Sequence, residues 1–181
     1  MAHRRKAWWL LGAMLGVSAA HAQSLANEPV KQLDLKRYLG VWHEIAHLPM
    51  FFQRQCVDHI TATYSELPDG QVRVHNACRT KGGGMDASDG VARTTRGPAG
   101  ALEVRFAPAW LAWLPWVWAD YWVVELDPGY RWAVVGSPSR RYLWVLSREP
   151  DMSRTQFEAL RRHAAERGYD VDKLVITAPL N

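Results

Sequence analysis

The stretch Asp34-Leu35-Lys36-Arg37-Tyr38-Leu39-Gly40-Val41-Trp42-His43-Glu44-Ile45-Ala46 sets a glycine two residues before a tryptophan, where a short helical turn enters a strand. Gly40 permits the backbone bend at that junction, and Trp42 is large enough to plug one end of a small closed β-barrel. Strand alternation puts Trp42, Glu44 and Ala46 on one face and Val41, His43, Ile45 and His47 on the other. With Trp42 turned inward, Glu44 follows it into the barrel.

Working outward, β-rich runs appear at Val41 to Leu48, Val57 to Glu66, Gln71 to Arg79, Met85 to Thr95, Ala101 to Ala107, Asp120 to Leu126, Arg131 to Ser137 and Tyr142 to Arg148. Pro68-Asp69-Gly70, Gly97-Pro98-Ala99-Gly100, Asp127-Pro128-Gly129 and Pro138-Ser139-Arg140 supply turn chemistry between them. Short connectors make neighbours antiparallel. The fold class expected is therefore all-β, an eight-stranded antiparallel up-and-down barrel without a free edge and with room inside for packing or one small ligand. Its outward faces lack a continuous lipid-facing band, which disfavours a membrane barrel. One α-helix follows, from about Thr155 to Arg167. Ser153 and Gln156 form its capping box, Phe157, Leu160 and Ala164 share a face, and Gly168 stops it. That helix should pack outside the barrel, and Lys173 to Thr177 should add a short strand.

The N-terminus reads as a secretory signal over residues 1–22. His3 to Lys6 form a charged start, Ala7 to Val17 an apolar core too short to span a bilayer, and Ala20-His21-Ala22 a cleavage site. Removing Arg4, Arg5 and Lys6 from the 22 Lys and Arg leaves 19 against 18 Asp and Glu, a net charge of +1. The case for a nucleic-acid partner disappears with the signal. A polar leader occupies residues 23–32, and the rest, residues 33–178, suits one domain with one core. Cys56 begins the second strand and Cys78 ends the third, so folding the hairpin about Pro68 and Asp69 brings them near register. Export makes a disulfide between them chemically reasonable.

Taken in order with Ala119-Asp120-Tyr121 and Ser147-Arg148, the first block resembles the characteristic blocks of the lipocalin family. Leu39 to Ala46 and Tyr130 to Gly136 most resemble the bacterial outer-membrane lipocalins. The resemblance implies structural roles for Gly40, Trp42, Asp120, Tyr121 and Arg148, with Arg148 lying across Trp42 at the closed end. Ala119 departs from the threonine usual at the start of the middle block. No cysteine lies near residue 22, where the bacterial relatives are often acylated. A periplasmic or secreted protein is therefore expected, with any outer-membrane association peripheral rather than lipid-anchored.

Up-and-down connectivity brings Pro49 to Gln55 and Pro108 to Trp118 to the open end together. Four tryptophans and two leucines facing Met50, Phe51 and Phe52 make an apolar rim too large to be casual surface. That rim suits a membrane interface or a greasy entrance. Tryptophans folded inward as a cap, or two rims meeting in a homodimer rather than a monomer, are the alternatives. The candidate ligand-binding residues are Glu44, Phe51, Phe52, Tyr64, Trp110, Trp113, Trp116, Tyr121 and Tyr142. Glu44 needs a partner, which an inward arginine or a ligand head group could supply. His43 and His47, four residues apart on a strand, are about 13 Å from each other and read as exterior or rim residues rather than metal ligands. No metal, cofactor or catalytic site is expected, since the chain has no nucleophile elbow, phosphate loop or telling acid–base pair. What the resemblance implies is binding of a lipid-like ligand, a fatty acid or lysophospholipid, for storage or transport in envelope maintenance. A chromophore or tetrapyrrole carrier is the rival reading, and a lipid-modifying enzyme a weaker one.

Overall fold

A computed structural model describes residues 24–181, and the signal expected over residues 1–22 lies outside them. A single turn of helix, α1 (Leu35–Tyr38), precedes β1 (Gly40–His47), and seven strands follow: β2 (Cys56–Glu66), β3 (Val72–Thr80), β4 (Met85–Thr94), β5 (Ala101–Arg105), β6 (Ala119–Leu126), β7 (Trp132–Gly136) and β8 (Leu143–Ser147). The helix α2 (Arg154–Glu166) and a two-residue strand β9 (Val175–Ile176) complete the chain. Each strand from β2 to β8 pairs antiparallel with the next, and β1 closes the ring by pairing with both β8 and β2. The eight-stranded up-and-down barrel with an outer C-terminal helix is the architecture read from the sequence.

Closure depends on how β1 shares its two edges. Its first half pairs with β2, from Gly40 opposite Tyr64 to His43 opposite Thr61. Its second half pairs with β8 on one side and, at Ala46 and His47, with β9 on the other. β9 thus occupies the edge that β2 has left. The register against β8 slips between Glu44 and Ala46, so Ile45 and Ala46 together oppose Val145. An extra residue in one strand reverses the alternation beyond it. Two sequence expectations fail here. Ala46 packs in the outer core beside Ile45, and His47 is buried and turned to Glu44 rather than exposed.

The alternation produces two apolar layers. Tyr38, Trp42, Tyr64, Val74, Leu102, Val123 and Val135 fill the closed half of the barrel. Ile45, Val124, Val134, Leu143 and Val145 face outward beneath Phe157, Leu160 and Ala164 of α2. Strands buried on both faces read as continuous apolar runs, as Ala133 to Val135 do. Each fully buried Phe or Leu contributes about 1.5–3 kcal/mol relative to an exposed one, so the helix is held by its apolar stripe. Ser153 caps that helix by accepting from the Gln156 amide, and Gly168 ends it at φ +85°.

At the closed end the Arg148 guanidinium lies 3.8 Å above the centre of the Trp42 ring. It donates to the carbonyls of Val41 (2.7 Å), Arg37 (2.8 Å) and Leu39 (2.8 Å), which ties β8 to α1 and the start of β1. Trp42 Nε1 donates to Tyr38 O at 2.8 Å. Gly40 sits at φ +95°, and a side chain there would also meet Arg148 at 3.3 Å. The leader joins this end, because Val30 exchanges backbone hydrogen bonds with Gly100 and Val123.

Candidate ligand-binding cavity

Above the Trp42 plug the barrel encloses a cavity of about 450 Å³, within the range of roughly 300–1,000 Å³ usual for small-molecule sites. Small side chains leave this space open. Ala62 stands opposite both Trp42 and Asn76, and Asn76 opposite Ser88, so one row across three strands carries little bulk. The floor is made of tyrosines. Tyr121 Oη shares hydrogen bonds with Tyr64 Oη at 2.8 Å and Tyr38 Oη at 2.9 Å. Removal from water pushes the Tyr64 hydroxyl up to about 12, and raises those of Tyr38 and Tyr121 well above the ordinary tyrosine value. All three hydroxyls stay protonated, and Tyr64 and Tyr121, which line the cavity, give it an uncharged floor.

One wall carries a buried polar cluster. Glu44 accepts from His47 Nδ1 at 2.6 Å, Gln53 Nε2 at 2.6 Å and Thr177 Oγ1 at 3.2 Å. Trp144 Nε1 in turn donates to Gln53 Oε1 at 3.4 Å. The bulge at Ile45 brings His47 into reach, and β9 delivers the residue next to its end. A carboxylate with three donors satisfies the demand that burial makes, without the inward arginine considered from sequence.

Of the sequence candidates, Glu44, Phe52, Tyr64, Tyr121 and Tyr142 line the cavity, while Phe51, Trp110, Trp113 and Trp116 do not. Those four side chains are 71–78% exposed, so the tryptophans do not fold inward as a cap. Two 3₁₀ turns, Ala109–Leu111 and Pro115–Val117, shape that loop around the buried Leu114. Trp118 turns back, donating to Ala112 O and stacking under Arg93. Asp120 is exposed opposite Glu103 and precedes the inward Tyr121. Phe52 contacts Tyr142, which stacks on Trp144, so an aromatic strip runs from the rim down the wall.

Sequence reasoning missed Gln53, Asn76, Asp86 and Thr177 as parts of this site. The register of β3 could have supplied Asn76, two residues from Cys78 on the same face, whereas Gln53 and Thr177 depend on loop and tail placement. A disulfide joins Cys56 and Cys78 beside the mouth. Among the described residues there is no cluster of His, Cys, Asp and Glu able to hold a metal ion.

A closed up-and-down barrel with a plugged end, an open end and an apolar interior is the architecture of proteins that bind small hydrophobic ligands. The Lipocalin-like domain model matches residues 33–179, and the chain belongs to the lipocalin family. It is 39% identical over 149 residues to temperature-induced lipocalin-1 of Arabidopsis thaliana, covering 81% of this chain and 80% of that one. To the outer membrane lipoprotein Blc of Escherichia coli (strain K12) it is 38% identical over 148 residues, covering 81% and 79%. Among solved structures, insecticyanin from the tobacco hornworm Manduca sexta superposes with a TM-score of 0.63 at 19% identity, covering 84% of each chain.

Proposed function

We propose that this protein is an exported, non-enzymatic carrier of an acyl-chain lipid, a fatty acid or a lysophospholipid, held in the barrel cavity and exchanged through its open end. The observation that carries the reading is the cavity itself: an apolar, tyrosine-floored space opening beneath an aromatic rim. A chain buried against Val74, Val104, Val135 and Leu146 gains about 0.8 kcal/mol per methylene, which suits a long unbranched ligand.

The rim extends the reading to membranes. Phe51, Phe52, Met85, Phe106, Trp110, Trp113 and Trp116 are all exposed on loops or strand ends at the open end. Aromatic side chains of this kind partition to lipid–water interfaces, so peripheral contact would set the mouth against the source of ligand. The similarity to a protein named an outer membrane lipoprotein supports a place in the cell envelope, where a carrier of this kind would store or transport lipid for envelope maintenance.

The test is native mass spectrometry of the protein purified from its periplasm, with extraction and identification of what is bound. A stoichiometric acyl lipid supports the reading. A coloured protein carrying a tetrapyrrole or other chromophore would replace it.

A further inference from the structure

The start of β2 is the least supported part of the barrel wall, and it carries Cys56. Six residues of β2, Cys56 to Thr61, run beside four of β3, Ala77 to Thr80, because the register slips once between Cys56 and Asp58 and again between Asp58 and Thr61. The two extra residues interrupt the pairing, and His59 is left at φ +50°, a conformation few residues other than glycine adopt. The other edge of the segment is no better held. β1 pairs with β2 only from Thr61 to Tyr64 and then gives its edge to β9, so among the described residues no strand pairs with Cys56 to Ile60 on that side.

What fastens this segment from within is the bridge to Cys78, with Cα atoms 5.5 Å apart. Of the five side chains from Cys56 to Ile60, only Ile60 is buried. The remaining ties are polar: the ion pair of Asp58 with Arg79, the Lys81 amide donating to Gln55 O, and Gln55 Nε2 donating to Asp86. Exposed pairs of this kind contribute little. Both cysteines line the cavity, together with Phe52 and Ile60. Cys78 is buried, whereas Cys56 is partly open. A bound chain therefore covers the bridge, and the bridge shapes the wall that the chain touches.

Building on the carrier reading, we infer that the bridge is a redox-sensitive clamp on the mouth, so that its reduction and the binding of ligand oppose each other. The co-reactant is a dithiol. Its thiolate attacks Cys56 Sγ, the sulfur–sulfur bond breaks, and Cys78 leaves as a thiolate that takes a proton. The second thiol of the reductant then displaces Cys56 and closes its own disulfide, so two electrons and two protons have passed to the protein. Cys56 to Ile60, now held by bulged pairing and surface contacts, moves off the wall; the mouth widens and the ligand leaves more readily. A filled cavity blocks approach to the bridge and resists the same movement.

The experiment titrates the mature protein with a dansyl-labelled fatty acid in buffers of reduced and oxidised dithiothreitol. Full reduction should weaken binding of this probe at least about fivefold, and saturating probe should raise the reduced-to-oxidised ratio needed for half reduction by the same factor, because the coupling is reciprocal. Hydrogen exchange should quicken on reduction from Gln55 to Ile60 and from Arg79 to Lys81, and stay unchanged in β6 to β8. Equal or tighter binding after reduction, or a half-reduction ratio that ignores the probe, overturns the inference and leaves the carrier reading standing. Loss of the near-ultraviolet circular dichroism on reduction also overturns it, since the bridge would then hold the whole barrel rather than its mouth. A probe that binds neither form overturns the carrier reading and the inference with it.

Discussion

Replacing Arg148 with alanine tests whether the closed end holds the barrel together. The guanidinium donates to five carbonyls, those of Val41, Arg37, Leu39, Tyr38 and Tyr130, and covers the Trp42 ring. Hydrogen bonds from a charged group contribute about 1.5–3 kcal/mol each when buried, but several of these carbonyls lie at the surface and would be rehydrated. Three bonds are partly buried, and those to Tyr38 and Tyr130 are long at 3.3 Å; taking the three together as two bonds at the low end of that range, with a cation–π contact of about 0.5–1 kcal/mol, leads to a loss of about 3.5–4 kcal/mol. At about 2–4 °C per kcal/mol for a domain of this size, Tm should fall by about 7–16 °C. The assay is urea and thermal unfolding of the oxidised protein, with Arg148→Lys alongside. Lysine restores the charge but not the planar fork, so it should recover less than half of the loss. Ligand affinity should be unchanged, because the guanidinium lies across the plug and away from the cavity. A loss below about 1 kcal/mol, or full recovery with lysine, would refute the reasoning.

Replacing both cysteines with serine should lower stability by about 3 kcal/mol in a chain-entropy estimate for the 22-residue separation, and intact-mass comparison of oxidised and reduced protein should show the loss of two hydrogens. The triple change of Trp110, Trp113 and Trp116 to Ser should slow ligand transfer to vesicles while leaving equilibrium binding in the cavity intact; unaltered transfer removes the rim from the account. Arg131, with help from the Gly129 amide, holds the Asp127 carboxyl at about 2, below the roughly 3.9 of an unfolded aspartate. Its stabilisation is therefore complete above about pH 4 and lost as pH falls through 2, so Asp127→Asn should lower urea midpoints at neutral pH and the gap should close in acid. A gap independent of pH would contradict this.

The barrel was legible because its signals are local and repeated. Alternation, turn residues at Pro68-Asp69-Gly70 and Asp127-Pro128-Gly129, and the cap at Ser153 each specify a short segment, and only one closed topology uses them all. The cavity was legible in part. Tyr64 and Tyr121 stand out as aromatic side chains with polar tips, and the register sets them inward with Trp42; His47 has no such signal, because a bulge at Ile45 is a property of pairing with β8 and leaves no mark in the residues themselves. Gln53 and Thr177 escape for a related reason. They reach Glu44 only after a loop and the C-terminal tail have been placed, contacts made across 9 and 133 residues. The tryptophans of residues 110–118 were readable as a rim but not as separate roles. Trp118 is turned back by the Ala112 carbonyl, a choice decided by two 3₁₀ turns.

The central claim is that this barrel binds its ligand inside, above the Trp42 plug. The most direct measurement is native mass spectrometry of the mature protein with a lysophospholipid, beside the variant Ala62→Trp, which places an indole in the open row between Trp42 and Asn76. A one-to-one complex that disappears in the folded variant is the result predicted. No complex with the unaltered protein, or one that persists undiminished with the cavity filled, would contradict it.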